Sequence, residues 1–176
     1  MSQQIRACRP DDFETILAVV NQAAEAYRGV IPDDCWHEPY MTAEALRREI
    51  EAGVQFSALE IDGELAGVMG AQAVRNADLI RHAYVLPGFQ GQGVGSALIS
   101  HVRAKSRAQI LVGAWAAASW AIGFYERHGF VLTEPAARTA LLHTYWTISP
   151  RQIETSVVLA WPALDDAGAR RLIAAA

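Results

Sequence analysis

Glycines at 91, 93 and 95, within Gln90-Gly91-Gln92-Gly93-Val94-Gly95-Ser96, leave a stretch of main chain that no side chain screens. A helix beginning there presents N–H groups without intrahelical acceptors, at the positive end of the helix dipole. Together these features cradle a phosphate or a pyrophosphate. Ser96 and Ala97 carry the small side chains into the first turn, and Arg103, Lys105 and Arg107 follow toward the other end, where cations complement the dipole. Two other phosphate motifs fail. There is no Gly-Lys-Ser/Thr as in a Walker loop. A dinucleotide turn needs another glycine spacing and an acid about 20 residues on, and residues 113–117 read Gly-Ala-Trp-Ala-Ala. A glycine-rich helix start that binds nothing stays open as the plainer reading.

The elements that must hold this turn follow from hydrophobic spacing. Asp78 to Leu86 is a mostly apolar strand that Pro87 ends, and a helix runs from about Val94 to Arg107. Upstream, Gln4 to Cys8 is extended. Asp11 or Asp12 caps a helix with Phe13, Ile16, Leu17 and Val20 on one face, fading near Tyr27-Arg28-Gly29. Val30 to Tyr40 is a loop, and a second helix opens at Thr42 and stops at Gly53. Val54 to Ile61 and Glu64 to Val74 form a hairpin about Asp62-Gly63. Downstream come a strand at Ile110 to Trp115, a helix at Ser119 to His128 and a short strand at Phe130 to Thr133. Ala136 to Trp146 is ambiguous, with helix the nearer reading. A strand at Glu154 to Trp161 precedes a tail that is either a surface helix or frayed. The pattern predicts one domain over 1–162, with 163–176 a C-terminal helix or tail. The fold class is α/β: a mixed sheet with helices on both faces.

Composition narrows the function classes. The chain has 176 residues, 52% hydrophobic and 19% charged, with a formal net charge of -4 and no run of Lys or Arg. A nucleic-acid partner is not expected, because neutralising phosphates takes clustered cations. The start, Met1-Ser2-Gln3-Gln4-Ile5-Arg6, has no apolar signal stretch, and no window reaches the ~18 apolar residues of a membrane helix. Cys8 and Cys35 read as reduced thiols. The expectation is a cytoplasmic protein with no membrane and no metal.

Gln90-x-x-Gly93-x-Gly95, after Tyr84-Val85-Leu86-Pro87, resembles the acetyl-coenzyme A signature of the GNAT N-acetyltransferase superfamily. A second segment, Phe124-Tyr125-Glu126-Arg127-His128-Gly129-Phe130, is similar to that family's Phe-Tyr-Glu-x-x-Gly-Phe run. The resemblance implies a splayed, mostly antiparallel sheet of about seven strands and acetyl-CoA as co-substrate. Backbone groups of Ala83, Tyr84 and Val85 would pair with the pantetheine. The amides of Gly91, Gln92, Gly93, Val94, Gly95 and Ser96, with Gln90, would hold the pyrophosphate, and Phe124 would lie beside the cofactor. An asparagine common in the family seven positions before the tyrosine is Ala118 here, which leaves that contact to Ser119 or another group. The implied activity is transfer of an acetyl group to the primary amine of a small acceptor, by direct attack in a ternary complex. A non-catalytic acyl-CoA sensor, or a transferase with another acyl donor, is the alternative.

Acyl transfer to an amine needs a neutral amine, a stabilised carbonyl oxygen and a proton for the leaving thiolate. Tyr125 matches the family's general acid, a phenol being a donor at neutral pH. The base has no carboxylate to fill it: there is no acid after Asp78 in the strand before the turn, and none in Ile110 to Trp115. His82 is the best-placed titratable group. It has the opposite parity from Arg81, Ala83 and Val85, so in a regular strand it faces away from the acyl group. A structural histidine is at least as good a reading; His37, Glu38 and His143 are more distant candidates, and loss of the amine proton to water is a further alternative. For the acceptor, Tyr27, Trp36, His37, Tyr40, Trp115, Trp120, His143, Tyr145 and Trp146 offer aromatic walls, and Asp33, Asp34 and Glu38 offer negative charge. Each single aromatic, taken alone, reads first as core. The resemblance leaves a homodimer open.

Overall fold

The computed structural model describes residues 2–176; Met1, counted in the reading of the amino terminus, lies outside them. Seven strands join one sheet in the order β1-β2-β3-β4-β5-β7-β6, flanked by helices. They are β1 (Gln3–Ala7), β2 (Gln55–Ile61), β3 (Glu64–Val74), β4 (Ala77–Val85), β5 (Gln109–Trp115), β6 (Val131–Leu132) and β7 (Ser156–Trp161). The helices are α1 (Phe13–Ala24), α2 (Ala43–Glu51), α3 (Val94–Lys105), α4 (Ser119–Arg127), α5 (Pro135–Tyr145), α6 (Pro150–Glu154) and α7 (Asp166–Ala174). Contacts divide the chain into two compact units.

The first unit takes the chain to Gly29, then Trp36–Gln72 and Ile80–Lys105. A 3-10 turn at Pro10–Asp12 leads into α1, where the Asp12 carboxylate accepts the Arg9 N–H at 2.6 Å. Arg6 grips the same carboxylate at 2.7 and 2.9 Å and Glu60 at 2.9 Å, tying β1, β2 and the start of α1. Ile16, Val19 and Val20 bury one face of α1 against Leu46 of α2 and Phe56, Ala58, Leu65 and Val68 of the sheet. The helix fades through a 3-10 turn at Glu25–Tyr27, as its spacing predicts. Thr42 caps α2 by accepting the Ala45 N–H, and Gly53, at φ +102°, stops it. Asp62 and Gly63 both have positive φ, the requirement of a two-residue hairpin turn, and set Ile61 opposite Glu64.

The second unit holds Val30–Cys35, Ala73–Leu79 and Ser106–Ala176. β7 pairs antiparallel with both β5 and β6. Ala77, Leu79, Leu111, Val158 and Ala160 pack beneath Leu141, Leu142 and Tyr145 of α5. The ambiguous 136–146 segment is this helix, with Pro135 in its first turn. The last strand begins at Ser156 rather than Glu154. Ser149 accepts the Gln152 N–H and Pro150 opens α6, a short helix whose cap and proline were legible signals. The tail is a helix with a buried face: Asp165 caps it, Ala169 is buried against α5, and Asn76 donates to Leu172 O at 2.8 Å.

Candidate active site

Pro87 ends β4 and opens a 3-10 turn over Pro87–Phe89. Gly91 at φ +75° and Gly93 at φ +81° then carry the chain through left-handed conformations that only glycine adopts without strain. A Cβ at either would meet nothing within 4 Å, so their outer side is open. The first helical bond joins Ala97 N–H to Gly93 O at 3.0 Å, which leaves the amides before Ala97 outside the ladder of α3. Gln92 folds back to donate to Gly88 O at 3.0 Å, and Gln90 to Val85 O at 3.4 Å, tying the turn to the end of β4 and to the 3-10 turn before it. Residues 90–93 and Ser96 are exposed, whereas Val94 is buried and anchors the turn. This open, glycine-rich helix start fits a pyrophosphate.

Ala83, Tyr84 and Val85, half-buried, lead straight into it. Their neighbour β3 approaches closely because it has glycines there: a Cβ on Gly67 would lie 2.9 Å from Tyr84 O and 2.8 Å from a Val94 methyl. Gly70 is as constrained, 2.7 Å from Arg81 O. The Tyr84 ring meets Tyr27 edge-on at 6.3 Å; Tyr27 stacks toward Tyr40 and Tyr40 toward Trp36 at 5.7 and 5.6 Å. Arg28 caps Trp36 at 4.7 Å while pairing with Glu25 and Glu38. Burial pushes the Tyr27 phenol well above its usual range, so it stays a donor. Glu38 is committed to Arg28, which holds its carboxyl below the usual range.

His82 departs from the parity argument. It sits inside β4 at φ +52°, a left-handed conformation rare for a residue with a side chain. The alternation of the strand breaks there, and Arg81 and His82, consecutive residues, reach the same carboxylate. That carboxylate is Glu49 of α2, with Arg81 Nη2 at 2.8 Å and His82 Nε2 at 3.3 Å from its Oε2. The His82 ring stacks on Phe56, centroids 6.2 Å apart. Burial pushes the Glu49 carboxyl up, but the contacts with His82 and Arg81 outweigh it, and the group stays below the usual glutamate range. Glu49 was not read as a site residue. Its signal was its place three after buried Leu46, on the inward face of α2, where a carboxylate needs a partner.

In the second unit, Tyr125 is 6% exposed on α4, edge-on to Phe124 at 5.2 Å and to Phe130 at 5.7 Å. Phe124, half-buried, also meets His128 at 4.5 Å. Gly129, at φ +82°, closes the helix. Ala118 stands at the N-cap of α4 fully buried and without a side-chain cap; Ser119 next to it is exposed. A cavity of about 520 Å³ is lined by Ile31, Asp33, Trp115, Ala117, Glu154 and Thr155. It gathers Trp115 and Asp33 from the acceptor candidates. Asp34 pairs instead with Arg151 at 3.0 Å. Tyr145 is a core residue whose hydroxyl donates to Asn76 at 2.7 Å, Trp146 packs over Gly113, and His143 and Trp120 are exposed. Among the described residues no group of three or more His, Cys, Asp or Glu is placed to hold a metal, and no helix is long and apolar enough to cross a membrane.

No curated protein matches the chain in sequence. Solved structures match in fold. The PaiA N-acetyltransferase of Thermoplasma acidophilum, in complex with coenzyme A, is 18% identical with a TM-score of 0.67 over 91% of this chain and 98% of its own. A GNAT-family acetyltransferase of Staphylococcus aureus Mu50 is 15% identical, also at TM-score 0.67, over 90% of this chain and 98% of its own. N-acetylglutamate synthase of Neisseria gonorrhoeae, with coenzyme A and N-acetyl-glutamate, is 22% identical at TM-score 0.61, over 91% of this chain and 35% of its own. The model of the acetyltransferase (GNAT) domain matches residues 16–143, from within α1 into α5 and through both motif segments. With the glycine turn, the order of strands and this match in agreement, the chain belongs to the GNAT acetyltransferase family.

Proposed function

We propose that the protein is an N-acetyltransferase that moves the acetyl group of acetyl-CoA to a primary amine of a small acceptor. Membership of the family makes acyl transfer from an acyl-CoA the reaction class. The observation that carries the cofactor reading is the turn, where left-handed Gly91 and Gly93 are open on their outer side and two glutamines tie the loop back to β4 and the 3-10 turn. The acyl-CoA supplies an activated carbonyl with a thiolate leaving group. The chain's own groups do the rest. Amides from Gly91 to Ser96, with Gln90, hold the pyrophosphate. The main chain of Ala83, Tyr84 and Val85 aligns the pantetheine arm, and an N–H near Val85 polarises the thioester oxygen. Ser119 and Phe124 line the cofactor. His82 takes the proton that the amine gives up as the N–C bond forms. Tyr125 O–H protonates the sulfur as the C–S bond breaks, so the exchange closes without net charge. The cavity beside Trp115 and Asp33 suits an amine with an apolar body.

The test is thermal shift and thiol release. Acetyl-CoA should raise the melting temperature and acetyl-pantetheine, which lacks the pyrophosphate, should not. Release of coenzyme A over a panel of amines then gives the activity and the acceptor. A second reading, a domain that binds acyl-CoA without turning it over, draws on Ala118, which offers no polar side chain where the family places an asparagine. Melting shifts without thiol release from any amine would favour it.

A further inference from the structure

The Glu49 carboxylate has been moved most of the way out of water, on the inward face of a helix, which costs free energy unless charged partners meet it. Arg81 Nη2 donates to Oε1 at 2.9 Å, and Arg81 Nη1 donates to Gln72 Oε1 at 2.9 Å, so the guanidinium is fixed from two sides. The other carboxylate oxygen, Oε2, lies 2.8 Å from the same Nη2 and 3.3 Å from His82 Nε2, and Oε2 and Nε2 are both sealed from solvent. The contact is close but off-line, an ion-pair distance rather than an aligned hydrogen bond. Phe56 fixes the plane of the imidazole by stacking. The backbone beneath is left-handed at φ +52°, a conformation that costs an ordinary residue about 1–2 kcal/mol. Such strain persists where the surroundings over-determine it, and it collects at functional positions.

We infer that Glu49 is the positioning residue of His82, its carboxylate facing the Nε2–H and holding that proton on the ring, and so leaving the lone pair on Nδ1. The inference rests on the reading of His82 as the proton acceptor, and says which nitrogen does it. The charged groups facing the pair are Arg81 on β4 and Arg48 on α2; Phe56 on β2 carries no charge. Arg81 adds a fixed positive charge that, together with the His82 contact, holds the Glu49 carboxyl below the usual glutamate range. The base missing from the strands is thus made from two elements, an imidazole on β4 and the carboxylate on α2 that fixes its tautomer.

Nitrogen-15 spectra of the histidine rings, taken on the full chain at mildly alkaline pH, read the tautomer directly. His82 should be the Nε2–H form in the native protein. In Glu49→Met, of similar size but without an acceptor, the Nδ1–H form should grow. kcat should fall by about tenfold or more with the KM for acetyl-CoA unchanged. Glu49→Gln keeps an acceptor oxygen and should keep the tautomer; it also serves if the methionine variant fails to fold. A native Nδ1–H form, or a tautomer indifferent to Glu49→Met, overturns the inference. The reading of His82 as base fails separately: His82→Gln with undiminished kcat removes it, while the tautomer still decides whether Glu49 positions the ring.

Discussion

Gly67 and Tyr84 face each other across β3 and β4 so closely that a single methyl on Gly67 would come within 2.9 Å of the Tyr84 carbonyl oxygen. The same methyl would press a Val94 methyl at 2.8 Å. Gly67→Ala must therefore push β4 or the start of α3, the two elements proposed to hold the cofactor. Overpacking of this kind costs about 1–3 kcal/mol. Urea unfolding should show that loss, with weaker binding of acetyl-CoA beside it. An alanine variant as stable as the parent would mean that β3 yields freely.

Gly93 poses the opposite problem, room without freedom. At φ +81° an alanine there is strained by about 1–2 kcal/mol although nothing lies within 4 Å. Gly93→Ala should lose stability and raise the Kd for acetyl-CoA by about tenfold, since the amides around it change direction. Gly88→Ala, equally open and without a positive φ, should lose no stability. Calorimetry on both variants checks the pair; equal affinity for acetyl-CoA in Gly93→Ala would remove the turn from the binding site.

Asp12 gives a pH dependence with a defined sign. The Arg6 guanidinium and the Arg9 N–H hold its carboxyl down to about 2. The unfolded chain returns it to about 4. The pair thus contributes about 2 kcal/mol, fully present above pH ~4 and lost as pH falls toward 2. Urea midpoints measured against pH should drop faster for the parent than for Asp12→Asn, the two curves meeting near the acid end. A gap that stays constant with pH would show that the ion pair does not carry the difference.

Tyr125→Phe keeps the ring against Phe124 and Phe130 and removes only the hydroxyl. Folding should survive. If the phenol protonates the thiolate, kcat falls by about a hundredfold while the KM for acetyl-CoA holds. A thiol with a lower pKa as leaving group should recover part of the loss, which no packing effect would do. Full turnover in the variant would take the acid role from Tyr125.

The sequence alone determined the local pieces. Period and caps placed α1, α2, the Asp62-Gly63 hairpin and the helix after the glycine turn, because each is decided by neighbours a few residues apart. The turn itself was legible for the same reason: Gly91 and Gly93 must take left-handed φ, and glycine is the residue that does. Tertiary structure decided what distant residues do together. Strand parity directs His82 away from the acyl group, yet a left-handed backbone at that one residue sends both Arg81 and His82 to Glu49, 33 positions before His82 in the chain. Tyr145 could not be told from an acceptor wall until α7 and Asn76 closed over it. Burial and partnership belong to surfaces brought together from afar, and spacing along the chain carries no record of which surfaces those are.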